Sequence, residues 1–224
     1  MSQHVHIHAP EELSHPGGAQ SSRDRVYELI AAVLLSLATL GIAWSGYQAA
    51  KWSGLQARRY AQANTARSLA NHASTLGSQE RLQDLLNFNR WLEATTSGDT
   101  TIANLYRRRF RPEFLPAFNA WEASNPLTNL RAEASPLNLP QYDPADVQKS
   151  VALEHTADEH FEQGKSATEN ADEYVFGTVF FAVVLFFAGI SLRFRWDAMR
   201  MAVLVMAALF LVYGGVKLAS LPTM

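Results

Sequence analysis

Three long apolar runs alternate with polar segments along the chain. Residues 29–50 and 174–192 carry no charged side chain over 22 and 19 positions, and residues 201–216 form a third such run of 16. A helix of about 20 apolar residues crosses a hydrocarbon core of about 30 Å. Lys217 can reach the interface while the residues after it extend the third helix. The pattern therefore predicts three transmembrane helices.

The segment after the first run keeps a helical pattern as far as about Ser97. Its apolar positions recur at intervals of three and four, and no proline interrupts them. We therefore expect the first transmembrane helix to continue directly into this segment. The positions that carry the pattern are Trp52, Leu55, Ala63, Ala66, Ala70, Ala73, Leu76, Leu82, Leu86 and Trp91.

Shorter elements follow the long helix. Ser97-Gly98-Asp99 reads as a helix stop and then an N-cap, which predicts a short helix through Tyr106. A proline disfavours helical backbone at the residue before it, so this helix should end at Arg111. Pro112 should occupy the first turn of the next helix. Residues 124–142 contain three prolines among Ser and Asn and should be irregular. Asp143-Pro144 then predicts the start of a long helix that continues into the second span.

Two long helices thus leave and rejoin one membrane face, which favours an antiparallel hairpin closed by a small helical cap. Residues 51–111 hold ten Lys/Arg against four acids, and residues 112–173 hold three against twelve, so the arms carry opposite charge. Equal helical rise pairs positions whose numbers sum to about 222. This register sets Arg67 near Glu154 and Asp158. It also sets Arg58 and Arg59 near Glu162, and turns Leu55 and Leu69 toward the returning arm.

The short loop between the last two spans sets the expected orientation. Arg193, Arg195 and Arg200 lie in or beside it, and short loops rich in arginine stay in the cytoplasm. Arg23 and Arg25 before the first span agree, although Lys51, Arg58 and Arg59 on the opposite side do not. We predict a His-rich disordered cytoplasmic tail (1–24), spans at 25–50, 174–192 and 201–221, an extracytoplasmic hairpin and cap (51–173), and a cytoplasmic loop (193–200).

Composition narrows the possible functions. The 224 residues have a formal net charge of −2, so nothing global indicates binding to nucleic acid. The absence of cysteine excludes disulfides, thiolate metal sites and cysteine nucleophiles. No phosphate-binding, zinc-protease or nucleophile-elbow motif occurs, so the chain is expected not to be an enzyme.

Two histidine patterns are candidate metal sites. In the N-terminal tail His4, His6, His8 and His15 could converge on Zn²⁺, Ni²⁺ or Cu²⁺, and the alternative is a disordered tail with incidental affinity. On the returning helix a second set shares one face at helical spacing, which an acidic solvated face also produces by chance. That set comprises His155, Asp158, Glu159 and Glu162.

The region around residue 110 is a candidate patch for a partner or ligand. Its arginines could grip anionic groups, or they could pair with the acidic half of the chain. Its aromatics recur at helical spacing, where the core of the cap is the first interpretation and a partner-binding surface the second. The patch comprises Arg107, Arg108, Arg109, Arg111, Phe114, Phe118 and Trp121.

The spans have no ionisable side chain away from their ends, which weighs against ion-coupled transport. An oligomeric pore lined by Ser36, Thr39 and Ser45 stays open as an alternative, as does helix packing by these small residues.

Three segments carry a resemblance to a family: residues 44–54 (WSGYQAAKWSG), residues 109–118 (RFRPEFLPAF) and residues 187–191 (FAGIS). They resemble a group of bacterial membrane proteins of unknown function with one N-terminal span, a helical insertion and two C-terminal spans. The resemblance implies a bacterial inner membrane and brings no activity.

The sequence therefore predicts an all-α membrane protein that acts as a non-enzymatic scaffold or accessory subunit. Its partners would be the lipid bilayer and either copies of itself or another membrane protein. The alternatives are a sensor input module without its own output domain and a subunit of an oligomeric channel.

Overall fold

A computed structural model describes residues 22–224, and within that range the protein is entirely helical, without strands. This confirms the predicted all-α fold. The elements are α1 (Ser22–Thr96), α2 (Thr100–Arg107), α3 (Leu115–Ala123), a 3₁₀ turn (Pro136–Asn138), α4 (Ala145–Ser191) and α5 (Asp197–Ser220).

Helices α1, α4 and α5 each contain a stretch long and apolar enough to cross a membrane. Their number agrees with the three spans predicted from the sequence. Helix α1 runs without interruption for 75 residues and α4 for 47. The first span therefore continues into the following polar segment, and the returning helix continues into the second span, as predicted.

The chain forms two compact units. The membrane unit comprises the residues up to Ala50 together with Asn170–Met224, and the hairpin unit comprises Lys51–Glu169. Each unit contains one part of α1 and one part of α4.

In the membrane unit, α1 contributes Tyr27, Ala31, Leu34 and Ala38 to the core, at alternating spacings of four and three. Opposite them lie Phe181, Val184 and Ala188 of α4 and Leu204 and Ala207 of α5. The approach is close at Gly41, where an added Cβ would lie 2.7 Å from the ring of Phe181. The larger apolar side chains of these helices point outward, as expected for helices whose solvent is lipid.

Polar contacts lie at both ends of the membrane unit. At one end Arg200 donates to Asp24 at 2.8 Å, and its guanidinium lies 5.0 Å from the centre of the Tyr27 ring. At the other end the Gln48 amide both donates to and accepts from the backbone of Met224. Tyr174 donates there to the carbonyl of Pro222 at 3.1 Å. Side chains of α1 and α4 thus hold residues 222–224 in place.

In the hairpin unit, the two long helices meet along a seam of small residues. The α1 positions follow the 3–4 spacing of a coiled coil, and almost every side chain on the seam is a methyl group or a hydrogen. Small residues let helix backbones approach closely. The seam consists of Ala63, Ala66, Ala70, Ala73 and Gly77 in α1, and Ala157, Gly164 and Ala167 in α4.

Two glycines show how close this approach is. A Cβ at Gly77 would lie 2.9 Å from the Val147 side chain and 3.3 Å from its backbone nitrogen. A Cβ at Gly164 would lie 2.6 Å from the ring of Tyr60. A larger side chain at Gly77 would have to displace α4, and one at Gly164 would have to displace the Tyr60 ring.

The predicted register is confirmed to within about one turn. Arg67 pairs with Asp158 at 3.2 Å, and Glu154 lines the same small cleft. Arg59 lies against Gly164 of α4, as this register requires. Its guanidinium donates to Gln62 in its own helix, and Glu162 pairs with Lys165.

The prediction that Leu69 faces the returning arm is wrong, since its side chain is 52% exposed. The neighbouring Ala70 takes the seam position instead, while Leu55 is half-buried. Ala70 and not Leu69 faces α4 because the helices are close together, and a leucine in the seam would hold the backbones apart.

The short elements follow the predicted order with shifted starts. Asp99 caps α2 by accepting from the Ile102 amide, and Gly98 before it has φ of +81°, as predicted for a helix stop and N-cap. Pro112 does not open α3, because residues 111–114 form a separate turn. The helix begins at Leu115, with Pro116 in its first turn.

We predict that Gly77→Leu destabilises the protein by about 1–3 kcal/mol, because the new side chain would push α4 away. The matched control is Gly54→Leu in the same helix, where an added Cβ meets nothing within 4 Å. That control should be neutral or gain up to about 1 kcal/mol from helix propensity. Thermal unfolding of the purified full chain compares the two variants, and equal effects would contradict the close approach.

Candidate functional site in the cap

The cap closes the hairpin unit and consists of α2, α3 and residues 124–144. Its core is a cluster of interlocking aromatic rings that pack mostly edge to face. Helix α1 supplies Phe88 and Trp91, and the cap supplies Phe110, Phe114, Phe118 and Trp121.

The aromatic half of the predicted patch is therefore not a surface. Phe114, Phe118 and Trp121 are all buried, and this corrects their assignment to a partner-binding surface. The indole nitrogen of Trp121 donates to the Glu133 carbonyl at 2.6 Å, so its polar group is satisfied inside the cap. These side chains give the cap its core, which was the first interpretation of their spacing.

The four arginines of the predicted patch have different environments. Arg107 donates through both terminal nitrogens to the Glu122 carboxylate, at 2.8 and 2.9 Å, and lies over the ring of Phe118. Arg109 lies over the ring of Tyr106. Arg108 is exposed, and within residues 22–224 it forms no ion pair. The patch thus divides into structural arginines and solvent-facing ones.

Arg111 is the centre of an ion network. Its guanidinium lies 2.9 Å from Glu80, 3.4 Å from Asp84 and 3.4 Å from Glu113, and its side chain is largely buried. The Asp84 side chain is only 1% exposed. One oxygen of Asp84 also accepts from the Tyr142 hydroxyl at 3.1 Å. The network joins α1 to the cap segments on both sides of α3.

The network places a carboxylate where solvation is poor. Burial raises the pKa of Asp84, and the negative charges of Glu80 and Glu113 act in the same direction. The Tyr142 hydrogen bond and the Arg111 charge oppose this rise without cancelling it. Burial and the neighbouring Asp84 also raise the pKa of Tyr142, so its hydroxyl stays protonated and can donate.

The sequence does contain a signal for this network, which is the presence of acids at positions that helical periodicity assigns to the seam. Glu80 and Asp84 continue the 3–4 spacing that runs through Ala73 and Gly77. An acid at a buried seam position requires a cation or a hydrogen-bond donor from another part of the chain. Arg111 is that cation, although its sequence position did not separate it from its neighbours in the arginine cluster.

The segment after α3 presents apolar side chains on a hydrogen-bonded backbone. Asn125 adopts a left-handed conformation with φ of 51°, and its carbonyl accepts from the amides of Thr128 and Asn129. The Asn129 side chain bonds at both ends, to the Ser124 carbonyl and the Arg131 amide. This framework leaves Leu127 61% exposed and Leu130 fully exposed. We call residues 124–132 the cap loop.

A groove of about 250 Å³ lies beside the cap loop. Pro126 and Leu127 line it, together with the largely buried Trp91 and Trp121 of the cap core. Aromatic and proline walls suit an apolar or extended segment of another chain. The groove and the two exposed leucines together form the surface of the cap that is best suited to binding.

The structure describes only one of the two histidine patterns. The tail residues His4, His6, His8 and His15 lie outside the described residues. On α4 the imidazole of His155 contacts Glu159 at 3.2 Å. Across residues 22–224, no group of three His, Asp or Glu side chains is placed to hold a metal ion.

The three small polar residues considered for a pore do not share a face. Ser36 and Thr39 are exposed, and each donates to a backbone carbonyl one turn earlier in α1. Ser45 is completely buried instead. A single lumen therefore cannot be lined by all three.

The chain matches no protein-family description, no curated protein and no solved structure. The interpretation of the cap therefore depends on its own geometry.

We predict that Arg111→Met destabilises the hairpin unit by about 3–5 kcal/mol at neutral pH, because Asp84 would stay buried without its cation. The double variant Asp84→Asn/Arg111→Met should recover a large part of this loss. A carboxyl whose pKa is raised by folding favours the native state most when protonated, so acidification should stabilise the single variant relative to wild type. Thermal unfolding at about pH 5 and pH 7.5 measures both effects.

A different result would contradict this account of the network. If the single variant lost the same stability at both pH values, Asp84 would not be the source of the penalty. Lys149→Met is a suitable control, since Lys149 is exposed on α4 outside the network.

Proposed function

We propose that the protein is a non-enzymatic membrane scaffold or accessory subunit whose cap binds a protein partner outside the membrane. The exposed leucines of the cap loop support this proposal most directly. In the hairpin unit, an irregular segment fixed by its own hydrogen bonds would bury such side chains if they served only folding. Contiguous exposed apolar surface marks interaction sites, and the exposed Leu127 lines the groove of the cap.

The charges on the cap suggest what the partner presents. Arg108 and Arg131 are both exposed and form no ion pair within residues 22–224. A partner segment with apolar side chains and nearby carboxylates would complement this surface. Complementary charge would mainly speed association and select the partner, while apolar burial would supply affinity. A second copy of the chain is an alternative occupant that the experiment below distinguishes.

The proposal includes an orientation. We place the N-terminus and the loop between α4 and α5 in the cytoplasm, because Arg193 and Arg195 lie in this short loop. The hairpin unit would then be extracytoplasmic. The resemblance to bacterial membrane proteins suggests a bacterial inner membrane. The spans would anchor the hairpin unit beside the partner.

The test is a double substitution, Leu127→Ser/Leu130→Ser, in the full chain within native membranes. Both side chains are exposed, so the fold should be unaffected, whereas a complex that buries them should weaken by about 2–4 kcal/mol, or roughly 30- to 1,000-fold. Chemical crosslinking followed by mass analysis of the intact complex measures the loss. The matched control is Leu82→Ser/Leu86→Ser, which removes two exposed leucines from α1.

Each outcome has one interpretation. Loss of a heteromeric complex in the cap variant alone supports the proposal. Loss of a homo-oligomer instead would replace the partner with a second copy. An unchanged complex would refute the role of the cap. A cysteine introduced at exposed Gln141 of this cysteine-free chain should react with an impermeant thiol reagent from the outer side only.

A further inference from the structure

A groove of about 740 Å³ opens at the end of the membrane unit where α1 and α5 begin. Its walls are apolar along the helices and include Val26 and Ile30 of α1 and Met201 of α5. Its mouth is polar, with Arg23 from the first turn of α1 and Asp197 from the first turn of α5.

The floor of this groove is built from packed side chains. Tyr27 is buried there, and the guanidinium of Arg200 lies against its ring. Arg200 is itself buried and held by Asp24 at 2.8 Å. This arrangement fixes α1 against α5 while Val26, Ile30 and Met201 remain about half exposed. The packing of Tyr27 and Arg200 therefore holds the two helices that form the walls of the groove.

The change from a polar mouth to apolar walls matches an amphiphile. A lipid acyl chain is about as apolar as the side chains along α1 and α5, so it can lie beside Val26 and Ile30. A headgroup would then reach the mouth. Both helices contain stretches able to cross a membrane, so lipid is the molecule most available at this surface.

The charges of the mouth distinguish among headgroups. Arg23 supplies a cation that suits a phosphate, and Asp197 supplies a carboxylate that suits an ammonium group. An anionic lipid without a cation would leave Asp197 close to a like charge. A quaternary ammonium would satisfy the charge of Asp197 but has no N–H to donate. A primary ammonium satisfies both requirements.

We propose that this groove is a binding site for a zwitterionic phospholipid with a primary amine, of the phosphatidylethanolamine class. Arg23 binds the phosphate, Asp197 accepts hydrogen bonds from the ammonium group, and one acyl chain lies along Val26, Ile30 and Met201. The site is independent of the cap and of any partner bound there.

The test measures which lipids the full chain retains. The protein is purified in detergent with an equal mixture of phosphatidylethanolamine and phosphatidylglycerol, and native mass spectrometry counts the lipids bound. We expect about tenfold enrichment of phosphatidylethanolamine, the size that one charge-assisted hydrogen bond provides. Replacing it with phosphatidylcholine should lower retention by a similar factor.

Matched variants assign the two charges. Asp197→Asn should abolish the preference for phosphatidylethanolamine, whereas Asp172→Asn, an exposed acid elsewhere in the membrane unit, should preserve it. Arg23→Gln should reduce retention of both lipids, with Arg25→Gln as its control. Val26→Trp should reduce all lipid binding by filling the groove, and its unfolding temperature shows whether the fold survives.

Three results would overturn the proposal. Equal retention of both lipids by the wild-type chain would indicate only a general basic surface. An unchanged preference in Asp197→Asn would remove the basis for headgroup selection. Lipid binding that appeared only after deletion of residues 2–21 would show that this segment, and not a lipid, occupies the groove.

Discussion

The close approach of α1 and α4 in the hairpin unit is the constraint on which the rest of that unit depends. Gly77 has a Val147 backbone atom within 3.3 Å of where its Cβ would be, so the two backbones are nearly in contact. Alanine and glycine bury little apolar area per residue, and their stabilisation comes from many small dispersion contacts. A seam of this kind sets the register sharply but contributes modest burial, so large side chains elsewhere must add stability.

The aromatic cap supplies that burial. Phe88 and Trp91 follow the small residues along α1, where the seam gives way to large rings. Asp84 lies at this transition, and one oxygen of its buried carboxylate accepts from both Arg111 and Tyr142. Since an unpaired buried charge is costly, the network allows only arrangements in which the cap returns to the same point on α1. The seam aligns the arms, and the network fixes the cap on them.

The aromatic core of the cap limits which residues can form a binding surface. The large apolar side chains of the cap are used internally, so any binding surface must come from residues that the core leaves outside. Leu127 and Leu130 meet this condition, because the hydrogen bonds of the cap loop hold the backbone without them. Surface substitutions there can change binding while the fold persists.

Much of the fold follows from periodicity and punctuation in the sequence. Helix lengths, the cap of α2 at Asp99 and the approximate register were all predictable, because they depend on local spacing and on the shared origin of the two arms. Finer features were not. Leu69 lies outside the seam because the short distance between the two backbones favours a small residue there. Arg111 is buried in an ion network whereas Arg108 is exposed, and this difference comes from contacts with Glu80 and Asp84, which are distant in sequence.

The cap loop shows another limit of sequence analysis. Its proline and asparagines predict irregular backbone, which is confirmed, but they do not indicate which side chains point outward. That depends on the left-handed conformation at Asn125 and on the contacts of Asn129.

An intrachain disulfide between the arms tests the central claim most directly. A Cβ at Gly164 would lie 3.4 Å from that of Arg59, close to the span of about 3.5–4.5 Å in disulfides. The full chain carrying Arg59→Cys and Gly164→Cys, with Tyr60→Ala to make room for the new side chain, should form this bond on mild oxidation. The account predicts an oxidised monomer whose gel mobility changes on reduction. Disulfides found only between separate chains would contradict it, because the long helices would then pair between molecules.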